Sequence, residues 1–113
     1  MKRQDTGSEA TNCHYSGHHK FVDIHVALVK DFDDLESEAL VVEPTPRFYS
    51  KHPKWVWLKL IDLEGGNEPV RISGWTLYDP SHGPHMGKHR KSMWEIHPIT
   101  KIEIFREGKW VEY

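Results

Sequence analysis

Residues 79–97 bring carboxylate, imidazole and guanidinium groups into one short stretch of the chain. In an extended strand, side chains two residues apart project to the same face, so Glu95 and His97 are expected to lie together. Groups of these types that converge can bind a metal, hold a phosphate or transfer a proton. The sequence therefore predicts a polar site made of the following residues: Asp79, His82, Arg90, Glu95 and His97.

A structural role for the same residues is the alternative interpretation. Glu95 would pair with Arg90, and His97 would form a hydrogen bond with Asp79, so that the loop is held against the sheet. The chain has nine histidines, and a cluster of them arises easily by chance. Sequence spacing alone does not decide between the two interpretations.

Two forms of metal chemistry fit these residues. Asp79, His82 and His97 would supply carboxylate and imidazole ligands to a divalent metal ion. Alternatively, Asp79 and Glu95 would hold the metal and Arg90 would clamp a phosphate, as in a metal-dependent phosphodiesterase or nuclease. A compact zinc motif such as His-Glu-x-x-His is missing from the sequence, so no spacing pattern favours either form.

The sequence is also compatible with two kinds of macromolecular partner, nucleic acid and protein. Lys88 and Lys91 lie near Trp75 in the predicted fold, and cations beside an exposed aromatic ring suit single-stranded nucleic acid. The net charge of -2 argues against a strongly electropositive nucleic-acid-coating protein. The strand at residues 70–78 would instead serve protein interaction or oligomerisation if it lies at a sheet edge. Trp94 is expected in the core, because Ile96 shares its face.

The chain length of 113 residues, of which 37% are hydrophobic, fits one folded domain. Residues 1–17 are polar and without periodicity, which predicts a flexible arm before a β-rich domain at 18–113. A single cysteine, Cys13, cannot form an intramolecular disulfide, which is compatible with the cytoplasm. No signal peptide or membrane span is recognised, so a membrane partner is not expected.

Alternation and turn residues predict most of the secondary structure. Residues 21–30 alternate apolar with polar side chains as in a half-buried strand, and 39–42 form a second strand that ends at Pro44. Residues 70–78 form a third strand, in which Gly74 is expected to mark a bulge. Residues 79–91 are predicted to be a long loop because they are rich in proline and glycine.

The C-terminal third is predicted to be extended. Residues 94–97 precede Pro98, which is expected to interrupt pairing. Strands are then predicted at 99–105 and 109–113, and a turn at Glu107 and Gly108 joins them into a hairpin. Residues 54–63 fit a helical face and a strand face equally well, whereas Gly65 and Gly66 indicate a turn. The expected fold is mainly β, either a small OB-like barrel or a curled antiparallel sheet with one short helix-like connection.

Three strings in the chain carry a resemblance: Gly74-Trp75, Asp79-Pro80-Ser81-His82 and Trp94-Glu95-Ile96-His97-Pro98. The chain resembles an uncharacterised bacterial family of small domains with these motifs. The resemblance implies a helix at 54–63 and export of many relatives, in contrast to the cytoplasmic expectation, and it implies no activity. The sequence thus predicts a small binding or accessory module, with the nuclease and interaction functions as alternatives.

Overall fold

The computed structural model describes residues 2–6, 23–31, 33–55, 57–63 and 68–113. Within these ranges the chain forms one six-stranded sheet with short helical segments on one side. The strands are β1 (Lys2–Thr6), β2 (Ile24–Leu28), β3 (Leu40–Val42), β4 (Val70–Tyr78), β5 (Trp94–Arg106) and β6 (Lys109–Glu112).

The sheet is open, with the strand order β1-β2-β3-β5-β4. β3 pairs with β5 in parallel, and the other pairs are antiparallel. β4 occupies one side of β5, so β6 and β3 pair with opposite ends of its other side. The mainly β prediction is confirmed. Two forms of the fold were predicted, and the curled sheet fits whereas the closed barrel does not. The sheet is mixed, although only antiparallel pairing was expected.

Alternating side chains give the sheet an apolar face and a polar face. In β2, Ile24, Val26 and Leu28 point toward the hydrophobic core, and the residues between them point to the opposite face. The core face of β5 contributes Ile102 and Ile104, both fully buried. The predicted strands at 21–30, 39–42, 70–78 and 109–113 correspond to β2, β3, β4 and β6.

Short helices cover the apolar face. They are α1 (Pro46–Tyr49), a 3-10 turn at Pro53–Trp55, α2 (Trp57–Leu60) and a second 3-10 turn at Ile61–Leu63. The helix-like connection predicted at 54–63 is therefore present. Trp55 is fully buried and its Nε1 donates to the Tyr113 carbonyl at 2.8 Å, while the Tyr113 hydroxyl donates to the Lys59 carbonyl at 2.9 Å. The C-terminal residue thus fixes the helical connection against the sheet.

β5 continues through Pro98, where the sequence predicted an interruption. Its pairing with β4 shifts between the Thr76–Ile96 pair and the Gly74–Ile99 pair, so His97 and Pro98 together face one residue of β4. The expected bulge near Gly74 is thus present, but the extra residue belongs to β5. A Cβ atom on Gly74 would overlap the Pro98 carbonyl oxygen and the Ile96 side chain, which explains the glycine.

The N-terminal segment is described only in part. Lys2–Thr6, assigned from sequence to a flexible arm, form β1 and pair antiparallel with β2. Cys13 and the predicted turn at Gly65 and Gly66 lie outside the described residues. In the part of the chain that is described, none of the helices has the length and apolar character required to cross a bilayer.

Candidate functional site

The polar face of the sheet carries charged side chains from three neighbouring strands. Ala27, Val41 and Glu95 lie side by side across β2, β3 and β5, and all three are buried. Asp23 and His25 alternate with the core residues of β2, and Glu43 follows β3 two positions after Val41, so they share this face. The strand pairing therefore gathers carboxylates and imidazoles that are far apart in sequence.

Arg90 reaches this face from the connection between β4 and β5. Asp79 begins the connection by accepting hydrogen bonds from the Ser81 backbone nitrogen at 3.0 Å and from its hydroxyl at 2.5 Å, which caps a 3-10 helix at Pro80–His85. The Lys91 nitrogen donates to the Ala39 carbonyl at 2.8 Å, which attaches the connection to the residue before β3. Arg90 is consequently held in a buried position beside Glu95.

Glu95 lies between a guanidinium and an imidazole. Arg90 Nη1 donates to Glu95 Oε2 at 3.1 Å, and Glu95 Oε1 lies 3.3 Å from His97 Nδ1. Burial acts to raise the pKa of Glu95, but the interactions with His97 and Arg90 outweigh it and lower that pKa. Glu95 is therefore a buried carboxylate ion, and its charge is compensated locally.

His97 is the centre of the cluster. Its Nε2 lies 3.2 Å from Asp23 Oδ2 and 3.6 Å from Glu43 Oε2, on the side of the ring opposite Glu95. Burial acts to lower the pKa of His97, but the interactions with Asp23, Glu95 and Glu43 outweigh it and raise the pKa to about 10. Without a bound ion, the cluster therefore holds His97 as an imidazolium at neutral pH.

His25 extends the cluster to its outer side. Its Nε2 lies 3.0 Å from Glu43 Oε1. Burial acts to lower the pKa of His25, whereas the hydrogen bond and charge of Glu43 and the charge of Glu95 raise it, with a net increase. Glu43 therefore lies between two imidazoles, as Glu95 lies between an imidazole and a guanidinium.

Two buried atoms of the cluster have no hydrogen-bond partner among the residues that the structure describes. They are Asp23 Oδ1 and His97 Nδ1. Nδ1 is close to Glu95 but outside hydrogen-bonding geometry, so that contact is electrostatic only. Buried polar atoms are almost always hydrogen-bonded, because leaving one unpaired costs about 1–3 kcal/mol. The cluster thus contains polar capacity that no group in the described part of the chain uses.

The predicted site residues are partly brought together. Arg90, Glu95 and His97 form one buried network, and the expected ion pair between Arg90 and Glu95 is confirmed. The expected hydrogen bond of His97 to Asp79 is not seen, since the ion pairs of His97 involve Asp23, Glu43 and Glu95. The side chain of His82 lies outside the described part of the structure. The predicted metal set of Asp79, His82 and His97 therefore stays a prediction, and of its members only His97 belongs to the network.

Three members of the network were missed by sequence reasoning: Asp23, His25 and Glu43. The alternation in residues 21–30 already places Asp23 and His25 on the face opposite the core. That pattern also fits a solvent-exposed face, so it does not by itself mark a site. Glu43 has no local pattern that could identify it, because its position depends on the pairing of β3 with β5.

An exposed apolar surface lies at the edge of the sheet next to this network. β4 pairs only with β5 among the described strands, and residues 73–78 are all exposed. Trp75 and Leu77 occupy the polar face of the sheet, whereas Tyr78 and Trp94 form a ring pair 5.1 Å apart on the other face. Trp94, expected in the core, is therefore exposed, while its neighbour Ile96 packs against the core.

Charged side chains of β4 and of the connection that follows it are either paired or exposed. Arg71 binds Glu103 with two hydrogen bonds of 2.7 and 2.9 Å and stacks 4.4 Å above the ring centre of Trp110. Lys88 and Lys91, the cations predicted to contact nucleic acid, are exposed on the connection between β4 and β5. Between residues 73 and 78 the strand has no charged residue.

No family model, curated protein or solved structure matches this chain. The resemblance to an uncharacterised bacterial family accordingly stays a prediction. Function has to be inferred from the two features described above, the buried polar network and the exposed edge strand.

Proposed function

We propose that this chain is a small interaction module that pairs with a second copy of itself along β4. The observation that supports this most directly is the run of six exposed, uncharged residues at 73–78 on an edge strand. An edge strand offers unpaired backbone donors and acceptors, and another strand can add to them. Trp75, which is 68% exposed, and Leu77 would supply apolar contact area beside the added strand.

The two edges of the sheet differ in whether their residues discourage pairing with another strand. β1, at the other edge, has the sequence Lys-Arg-Gln-Asp-Thr and carries charge along its length. Charges on an edge strand are a common means of preventing association with another strand. Residues 73–78 have no charge, no proline and no covering element among the described residues. The edge formed by β4 is thus the one suited to a partner.

A second copy fits this edge because the pairing is self-complementary. In an antiparallel arrangement centred on Trp75, paired residues share a face of the sheet, and uncharged residues of one copy face uncharged residues of the other. Arg71 and Asp79, the nearest charges on either side, would face each other across the two copies. Like charges opposite each other would disfavour the pairing, and this arrangement does not produce them.

The test is the molar mass of the full chain in solution as its concentration is varied, measured by sedimentation velocity. We expect the wild-type mass to rise to that of a dimer and Trp75→Lys to stay monomeric. Leu35→Lys is the matched control, because Leu35 is 65% exposed and lies outside the sheet. A wild-type chain that is monomeric up to its solubility limit, or a dimer that survives Trp75→Lys, would refute the proposal.

A second candidate is binding of single-stranded nucleic acid, favoured by the exposure of Trp75 and Trp94 together with Lys88 and Lys91. Base stacking on the aromatic rings and salt-dependent contacts to phosphate would provide the affinity. Fluorescence anisotropy with labelled oligonucleotides of mixed sequence tests it. Binding that weakens with salt and is lost in the Lys88→Glu, Lys91→Glu double variant would support this function, and no binding at low salt would exclude it.

A further inference from the structure

The most informative feature beyond the proposed interaction surface is the group of three side chains at the centre of the buried network. Asp23, Glu43 and His97 each offer a ligand atom, and these atoms all lie within 4.8 Å of one another. We infer that the three residues form a binding site for a divalent transition-metal ion of the Zn²⁺ type. This inference is independent of pairing through β4, because none of the three residues belongs to that strand.

The two distances from His97 to the other ligand atoms suit tetrahedral coordination. Ligand atoms about 2.1 Å from a Zn²⁺ ion are separated from each other by roughly 3.4 Å in a tetrahedron. His97 Nε2 lies 3.2 Å from Asp23 Oδ2 and 3.6 Å from Glu43 Oε2. The longer of these separations exceeds a normal hydrogen bond, whereas both fall close to the spacing of neighbouring metal ligands. Small side-chain movements are sufficient to accommodate an ion.

An unpaired buried oxygen gives independent support. The Asp23 side chain is only 3% exposed, and its Oδ1 has no hydrogen-bond partner among the described residues. Its other oxygen faces His97, so the carboxylate is directed into the cluster. A carboxylate oxygen without a donor is unfavourable in a buried position, and coordination of a cation by this carboxylate would compensate for the missing donor.

The residues around the three ligands have the arrangement expected of an outer coordination shell. A metal-binding histidine usually directs its second ring nitrogen to a carboxylate, which fixes the ring. His97 Nδ1 faces Glu95 at 3.3 Å in a contact that is electrostatic only, and Glu95 is in turn held by Arg90. On the other side, Glu43 contacts His25 at 3.0 Å. Each of these two ligands therefore has an orienting partner on the side opposite the proposed ion.

A divalent cation can replace the proton that His97 holds in the ion-free cluster. Asp23, Glu43 and Glu95 are acidic and Arg90 carries the charge of one cation, so two negative charges remain once an ion has displaced the His97 proton, with His25 neutral. A divalent ion balances them. One imidazole with two carboxylates suits Zn²⁺ or a similar transition metal, whereas Ca²⁺ prefers six to eight oxygen ligands.

The experiment is a calorimetric titration of the full, chelator-treated chain with Zn²⁺, repeated with Mg²⁺ and Ca²⁺. We expect one Zn²⁺ per chain, little heat with Mg²⁺ or Ca²⁺, and a raised melting temperature in Zn²⁺, because an ion that binds the native state stabilises it. Asp23→Asn and Glu43→Gln keep the side-chain shape and should each weaken Zn²⁺ binding by at least about tenfold.

Glu36→Gln is the matched control, since Glu36 lies 3.3 Å from His89 in an exposed acid–histidine pair. It should bind Zn²⁺ like the wild type. Equal Zn²⁺ affinity in the wild type, Asp23→Asn and Glu43→Gln would overturn the inference and assign the binding to surface histidines. If either variant fails to fold, the visible spectrum of the wild-type chain with Co²⁺ decides, because intense four-coordinate absorption supports the site and weak octahedral absorption, or none, overturns it.

Discussion

The buried network around His97 and the exposed edge strand β4 differ in the side chains that they bury. The network buries charged groups, whereas the edge strand exposes large apolar groups. Leu77 and Glu95 are paired directly across β4 and β5, so they share a face of the sheet. The apolar Leu77 is 40% exposed, whereas the charged Glu95 is 1% exposed. Soluble proteins show the reverse preference, because burying charge and exposing large apolar groups both oppose stability.

The other end of β5 shows what the same sheet does without such demands. There, Ile102 and Ile104 enter the core, and Glu103 points away from it toward Arg71 and Lys101. Departures from this ordinary pattern concentrate in functional regions, where local cost is offset by binding. The comparison thus agrees with the two proposals made above, a cation site at the buried charge and an interaction surface at the exposed apolar edge.

The largest expected effect comes from removing the charge of Glu95. Glu95→Ala leaves Arg90 buried without its carboxylate partner, and breaking a buried ion pair costs about 3–5 kcal/mol of the free energy of unfolding. Urea denaturation followed by tryptophan fluorescence measures the loss. Glu95→Gln retains an acceptor for Arg90 and should lie between Glu95→Ala and the wild type.

Glu103→Ala is the matched control, because Glu103 also pairs with two cations on the same strand. Its partners Arg71 and Lys101 are half-exposed and can be solvated when the carboxylate is removed. The loss should be clearly smaller than for Glu95→Ala. Both carboxylates are buried, so equal losses in the two variants would mean that burial of the cationic partner does not distinguish the two ends of β5.

The next largest effect is on the pH dependence of stability in the metal-free chain. The pKa of His97 is raised from 6.5 to about 10, because Asp23, Glu95 and Glu43 outweigh the effect of burial. The protonated ring therefore stabilises the folded state fully below pH 6.5, and this stabilisation is lost as the pH rises toward 10. Since one pKa unit corresponds to about 1.4 kcal/mol, stability should fall by roughly 3 kcal/mol between about pH 6.5 and pH 9. The raised pKa of His25 acts in the same direction, and Arg90 partly opposes it.

Urea denaturation at a series of pH values checks this expectation. His97→Gln should remove most of the slope above pH 6.5. His89→Gln should retain it, because His89 is an exposed histidine that pairs with Glu36 outside the network. A flat pH profile in the wild-type chain would show that the imidazolium is not held by the three carboxylates.

Much of the sheet was predictable from local sequence. The alternation in β2 and β5 depends only on side-chain periodicity, and it correctly placed Glu95 and His97 on one face. The helical connection at 54–63 was expected only from the family resemblance, because its residues fit two periodicities. Local patterns are reliable here because each strand has one face toward a single apolar core.

The complete site was not predictable, because it depends on which strands are neighbours. Asp23 and Glu43 reach His97 only through the antiparallel pairing of β2 with β3 and the parallel pairing of β3 with β5. These contacts connect residues more than fifty positions apart, and no periodicity encodes them. Asp79 was chosen instead because it is closer in sequence, but it caps the helix that follows it. Trp94 was misassigned since the core ends before it reaches that strand end.

The smallest expected effect tests the bulge that joins the two regions. Gly74 pairs with Ile99, next to the bulge formed by His97 and Pro98, and a Cβ on Gly74 would overlap the Pro98 carbonyl oxygen, which belongs to the backbone. Gly74→Ala should therefore displace β5 and cost about 1–3 kcal/mol, as overpacking usually does. Ser73→Ala, at the adjacent exposed position, should stay within about 0.5 kcal/mol of the wild type. Because the displacement also moves His97, Zn²⁺ affinity should fall in Gly74→Ala and not in Ser73→Ala. Unchanged stability and Zn²⁺ affinity in both variants would show that the bulge does not couple the edge strand to the buried network.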